Sequence, residues 1–180
     1  MATPVIAFAQ LANEIEKEGL NPKNSERVAA EIAKAFNVKE DEVGILRLEK
    51  QMLSFLFPAK LATVGSIPVN TSTSLAARTA NTKRAEIINN FAQSKHASVF
   101  EAVELAGKPK VAGQHPAADE KLAHVIQKMM SVPVMGPAGV VGVIEVSRKG
   151  KSAPDSGPDF APADLQRLVT IAASLAKCFK

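Results

Sequence analysis

Apolar positions near the start of the chain recur at helical spacing. Val5, Phe8, Leu11 and Ile15 form one stripe, preceded by Thr3-Pro4 and followed by Gly19. A threonine oxygen can cap free amides, proline loses nothing at a first helical position, and glycine suits a left-handed stop. An amphipathic helix is therefore predicted from roughly Pro4 to Glu18. Asn21-Pro22 repeats the start signal, and Val28, Ile32 and Phe36 mark the buried face of a second helix ending near Asn37. From Glu42 the period shortens. EVGILRLE and MLSFLFPAKL are partly alternating apolar runs split by Glu49-Lys50-Gln51, the pattern of an antiparallel hairpin.

After VGSIPVN, the polar run TSTS offers a cap at Ser74 for a short helix, LAARTAN, and AEIINN reads as a strand entering a loop. SKHASVFEAVEL places Val99 and Val103 at fourfold spacing beside Phe100, which predicts a helix, and GKPKVAGQHPAADEK predicts an exposed connection. MMSVPVM and VVGVIEV are strand-like and flank the turn signal GPAG, the clearest hairpin in the chain. A loop, KGKSAPDSGPDF, leads to a closing helix with Leu165, Leu168, Ile171, Leu175 and Phe179 along one face. Hairpin connections imply an antiparallel sheet of α+β type, with the terminal helices on one face. The hairpin strands are apolar on both faces, so the middle segment has to cover the second.

Composition narrows the setting. A chain of 180 residues with 46% apolar and 22% charged content suits one well-filled core. No run approaches the roughly 18 apolar residues of a membrane span, and the first residues lack a basic leader, so a cytoplasmic protein with no membrane partner is expected. The one cysteine, Cys178, has no intramolecular disulfide partner. Net charge is +4, unevenly spread: Lys60, Arg78, Lys83, Arg84 and Lys95 share their stretch with Glu86 alone. That surplus favours an anion or is a solvated basic face. Nucleic acid is not expected, since the chain has neither Trp nor Tyr for stacking and no nucleic-acid-binding motif.

The C-terminal pieces VVGVIEVSRKG and FAPADLQRL resemble the last strand and closing helix of a GAF domain, a small sensory module. IPVNTSTSLAARTANTKRAEIINN is similar to the family's pocket wall and cap, and the likeness spans most of Asn21 to Phe179. It implies a GAF-like antiparallel central sheet of five or six strands, with terminal helices on one face and a pocket of short helices and loops on the other. Within it, residues 1–37 supply helices that pack on the sheet of a GAF-like domain at 38–180, one domain overall. Cyclic-nucleotide-binding members carry Asn-Lys, a loop, then Phe, three residues and Asp-Glu. Here Lys149, Phe160 and Asp164 match, Arg148 replaces the Asn and Leu165 the Glu. The resemblance implies an ion pair between Lys149 and Asp164. Bilin-binding and methionine-sulfoxide-reducing relatives rely on pocket cysteines, a chemistry that Cys178 on the closing helix does not offer.

The candidate ligand-binding set is Asn70, Ser74, Arg78, Thr82, Asn89 and Asn90, gathered over the sheet by the short helix and its loops, with Glu145 from VVGVIEV. Arg78 leads, because its planar fork grips a carboxylate or phosphate with two bonds. The competing reading has these residues capping helices and satisfying loop backbone. For Glu145 it has a rim carboxylate or a pair with a nearby base. His115, Asp119, Glu120 and His124 have weak metal-site spacing in a hydrophilic helix start, and no metal or cofactor is expected. No GxSxG elbow or phosphate-cradling loop is present, so an enzyme is not expected.

Two functions follow. One is a sensory or regulatory domain binding a small, anionic cytoplasmic ligand and signalling through a partner protein. The other is a ligand-free scaffold for homodimerisation or protein docking, with Ala172, Ala173 and Ala176 on the closing helix as contact surface.

Overall fold

The computed structural model describes residues 5–63, 65–71, 74–93 and 125–180. The helix expected at SKHASVFEAVEL, the connection after it and the candidate metal cluster at His115 to His124 lie outside the described residues. Two helices come first, α1 (Val5–Ile15) and α2 (Pro22–Phe36). Asn21 caps α2, its side chain accepting from the Asn24 amide at 2.8 Å, and Asn37 ends the helix in the left-handed region at φ 52°.

A six-stranded antiparallel sheet follows, built from β1 (Val43–Glu49), β2 (Met52–Phe57), β3 (Ser66–Pro68), β4 (Glu86–Ile88), β5 (Ile126–Gly136) and β6 (Gly139–Lys149), in the spatial order β3-β2-β1-β6-β5-β4. Both expected hairpins form. Lys50 and Gln51 take positive φ at the β1–β2 turn, which matches the right-handed strand twist. Two details differ from the sequence expectation. PAKL leaves the second strand to become the short helix α3 (Ala59–Ala62), because Pro58 cannot extend a ladder. SIP, to which the sequence pattern assigned no element, adds the edge strand β3 among the described residues. Pro133 sits inside β5, where its missing N–H costs little, since β4 pairs only with Met129 to Ser131.

Alternation along the strands separates two apolar layers. Val43, Ile45, Met130, Val132, Val134, Ile144 and Val146 face α1, α2 and the closing helix α5 (Pro162–Leu175). Leu46, Leu53, Phe55, Met129 and Val143 face the other way, under α4 (Leu75–Thr82) with Leu75, Ala76, Ala77 and Ala80. The terminal helices thus share one face, with α5 packed on both β5 and α1. Ala172 is only 1% exposed, inside this layer, so it is not the contact surface expected of it. No helix among the described residues is long and apolar enough to cross a membrane.

Candidate functional site

A polar island interrupts the apolar layer beneath α4. Ser131 of β5 lies opposite Glu145 of β6, and Gly44 of β1 opposes Glu145 on its other side. Directly opposed residues of an antiparallel pair share a face, so Ser131 and Glu145 both point at α4. From α4, Thr79 brings its hydroxyl to 2.7 Å from that of Ser131, and Ser131 donates to Glu145 Oε1 at 3.4 Å. With Thr79 donating to Ser131, each hydroxyl proton is used once.

All three side chains are fully buried, and among the described residues Glu145 Oε2 has no hydrogen-bond partner. Burial pushes the Glu145 carboxyl up from 4.5 to about 8, against a smaller pull down from the Ser131 hydrogen bond. The neutral acid therefore predominates at neutral pH. This corrects the expectation of a rim position or a basic partner. β6 is an interior strand between β1 and β5, and the nearest partner is a hydroxyl.

The other six candidates are not gathered into this island. Ser74 caps α4, accepting from the Ala77 amide at 3.3 Å, and Thr82 donates to the Arg78 carbonyl at 2.8 Å. Arg78 forms an ion pair with Glu86, the single acid of the basic stretch. Asn89 holds the Phe160 backbone from both sides, donating to its carbonyl at 3.1 Å and accepting from its amide at 2.9 Å. Asn70 and Asn90 lie on the surface. A groove of about 360 Å³ opens elsewhere, between α1 and α2 on the opposite face, floored by Phe8 and Leu11. The exposed Arg27–Glu14 pair, 3.0 Å apart, connects its walls.

Lys149 and Asp164 do not pair with one another as expected. Lys149 ends β6 beside the start of β1, so its ammonium meets the Asp41 carbonyl at 3.1 Å and carboxylate at 3.8 Å, while its amide donates to Glu42 at 2.7 Å. Asp164 turns back to accept from the Ala161 amide at 2.7 Å, capping α5. Other residues tie the 150–161 loop down. Lys128, almost fully buried, reaches the Gly157 carbonyl at 2.6 Å and Asp159 at 2.8 Å. Arg148 stacks on Phe160 with its guanidinium carbon 4.8 Å from the ring centre, and donates to the last carbonyls of α2, at Phe36 and Asn37. A lone lysine in the apolar run IQKMMSV was the available signal for Lys128. Thr79 and Ser131, small hydroxyls in apolar runs, carried none.

Cys178 lies on the opposite side of the sheet from Glu145, buried, with its thiol donating to the Ala12 carbonyl at 3.4 Å. Among the described residues no group of histidine, cysteine or acidic side chains is arranged to hold a metal ion.

No family model and no curated protein matches the chain. Solved structures do. The GAF domain of an Acinetobacter phosphoenolpyruvate-protein phosphotransferase superposes with a TM-score of 0.64 at 16% identity, over 99% of this chain and 94% of that one. The fRMsr of Staphylococcus aureus in its reduced form gives 0.57 at 17%, over 99% and 96%. The free methionine-R-sulfoxide reductase of Neisseria meningitidis, solved with its substrate, gives 0.57 at 15%, over 99% and 92%. This chain has the GAF fold. The same likeness corrects the expectation that it is not an enzyme. That expectation rested on missing motifs, whereas this architecture serves as a reductase in two of the similar structures.

Proposed function

We propose that this chain is a sensory or regulatory domain that binds a small molecule against the sheet face under α4, with Glu145 as its innermost polar contact. The observation that carries this reading is the fully buried Glu145 carboxyl with an oxygen left without a partner among the described residues. Native interiors rarely leave such an atom unsatisfied, since it costs about 1–3 kcal/mol. A ligand amine that takes the proton from Oε2 and donates to the resulting carboxylate offsets that cost. An anionic group on the same ligand meets Arg78 at the rim, in competition with Glu86. Binding alters the seat of α4, and a partner protein in the cytoplasm reads the terminal helices, in a homodimer formed through their outer face. The GAF fold supports the sensory part of this reading.

The test is a thermal-shift screen of the chain against three classes of small metabolite: amines, carboxylates and phosphate esters. Stabilisation by one class, lost in Glu145→Gln, is the expected result. A complete screen without a shift refutes the reading. It would leave the ligand-free scaffold, which the close packing of Leu46, Leu53, Leu75, Met129 and Val143 on that face favours.

A further inference from the structure

α4 has eight residues, too few to hold a helix without tertiary support. Its support is the burial of Leu75, Ala76, Ala77 and Ala80 and the bond from Thr79 to Ser131. Ser131 also bonds Glu145, so a change of charge or occupancy at Glu145 acts on the seat of α4 first. From α4 the Arg78–Glu86 ion pair leads outward to β4. β4 has three residues and, among the described residues, lies at the sheet edge and pairs only with β5, which makes it an easily displaced strand. The next turn carries Asn89, clamped to both backbone polar groups of Phe160. Phe160 is buried and adjoins Ala161, the cap residue of α5.

We propose that α4, β4 and the Asn89–Phe160 clamp form a relay that transmits the state of the Glu145 site to the start of α5. It rests on the reading of Glu145 as the binding site and adds the route by which binding reaches the terminal helices. A two-bond clamp on the N–H and C=O of one residue leaves little slack between β4 and Phe160, so a displacement of β4 moves the first turn of α5. That helix packs on α1, which carries the displacement into the outer layer.

A proton on Glu145 serves as the trigger for testing, with no ligand needed. Among the described residues, α4 presents Thr79 and, beyond it, the paired Arg78; β5 presents Ser131 and Met129. β1 presents Gly44 and Leu46, and β6 flanks with Val143 and Ser147. Glu42, in the turn just before β1, is held by the amides of Lys39 and Lys149.

The experiment follows backbone amide resonances of the full chain from about pH 6 to about pH 10. In the unaltered protein the amides of Thr79, Ser131 and, from Phe160 to Asp164, Phe160, Ala161, Ala163 and Asp164 shift with one shared midpoint, and Glu145→Gln removes the shift at every one of them. Asn89→Ala keeps the shifts of Thr79 and Ser131 and reduces those of Phe160 to Asp164 by about fivefold or more. Arg78→Met cuts the other link and does the same, which keeps the test decisive if Asn89→Ala fails to fold. Phe160 to Asp164 shifting undiminished in either folded variant would overturn the relay and leave the site reading intact. If Thr79 and Ser131 do not titrate, or still do so in Glu145→Gln, the site reading falls and the relay with it.

Discussion

Replacing Glu145 by glutamine keeps the volume and hydrogen-bonding atoms of the side chain and removes its titration. The folded protein holds a proton on Glu145 up to about pH 8, whereas the unfolded chain releases it near the ordinary value of 4.5. Between those values the folded state binds more protons, so its stability falls as pH rises; below the window the carboxyl contributes no pH dependence, and above it the full cost is present. At about 1.4 kcal/mol per pH unit the window amounts to roughly 5 kcal/mol, a ceiling lowered by any water that solvates the ionised group. Urea unfolding of both proteins, followed by circular dichroism at intervals from about pH 5 to about pH 9, isolates this effect, because every other titrating group is common to the pair. Near pH 5 the two proteins are expected to lie within about 1 kcal/mol of each other, and by about pH 9 glutamine is expected to be the more stable by several kcal/mol. A difference curve that stays flat across the window would refute the argument that Glu145 is buried without a compensating charge.

Gly142→Ala would put a methyl group 2.4 Å from both the Leu46 carbonyl oxygen and a ring carbon of Phe179. The oxygen belongs to the ladder and cannot swing aside, so a loss of about 2 kcal/mol or more is expected in urea unfolding, and an unchanged midpoint would show that the strand yields. Arg148→Lys keeps the charge but loses the fork on Phe36 and Asn37 and the stack on Phe160. A loss of about 1–2 kcal/mol with faster amide exchange in the last turn of α2 is expected; equal stability would mean that charge alone mattered. Burial pushes the Cys178 thiol up and shields it. An aromatic disulfide reagent should modify it at neutral pH only as fast as the chain opens, and an immediate burst in native buffer would contradict that packing.

The sequence legibly determined the elements whose signals are local. The Asn21 cap, the stop at Asn37, the positive-φ turn at Lys50 and Gln51, the cap at Ser74 and both hairpins depend on a few adjacent residues. Strand alternation likewise fixed two apolar faces, and with them the need for α4 as a cover. What tertiary structure alone decided is which polar groups meet. Thr79 and Ser131 are 52 positions apart, and Asn89 and Phe160 are 71 apart. Those pairings follow from strand register and from the seating of α4, which no nearby residue specifies. For the same reason the basic stretch did not disclose that Glu86 pairs with Arg78, since only the fold laid one against the other. A carboxylate in an apolar run announced that something was needed at Glu145, but only the sheet order, with β6 enclosed between β1 and β5, made it a buried acid with an oxygen to spare.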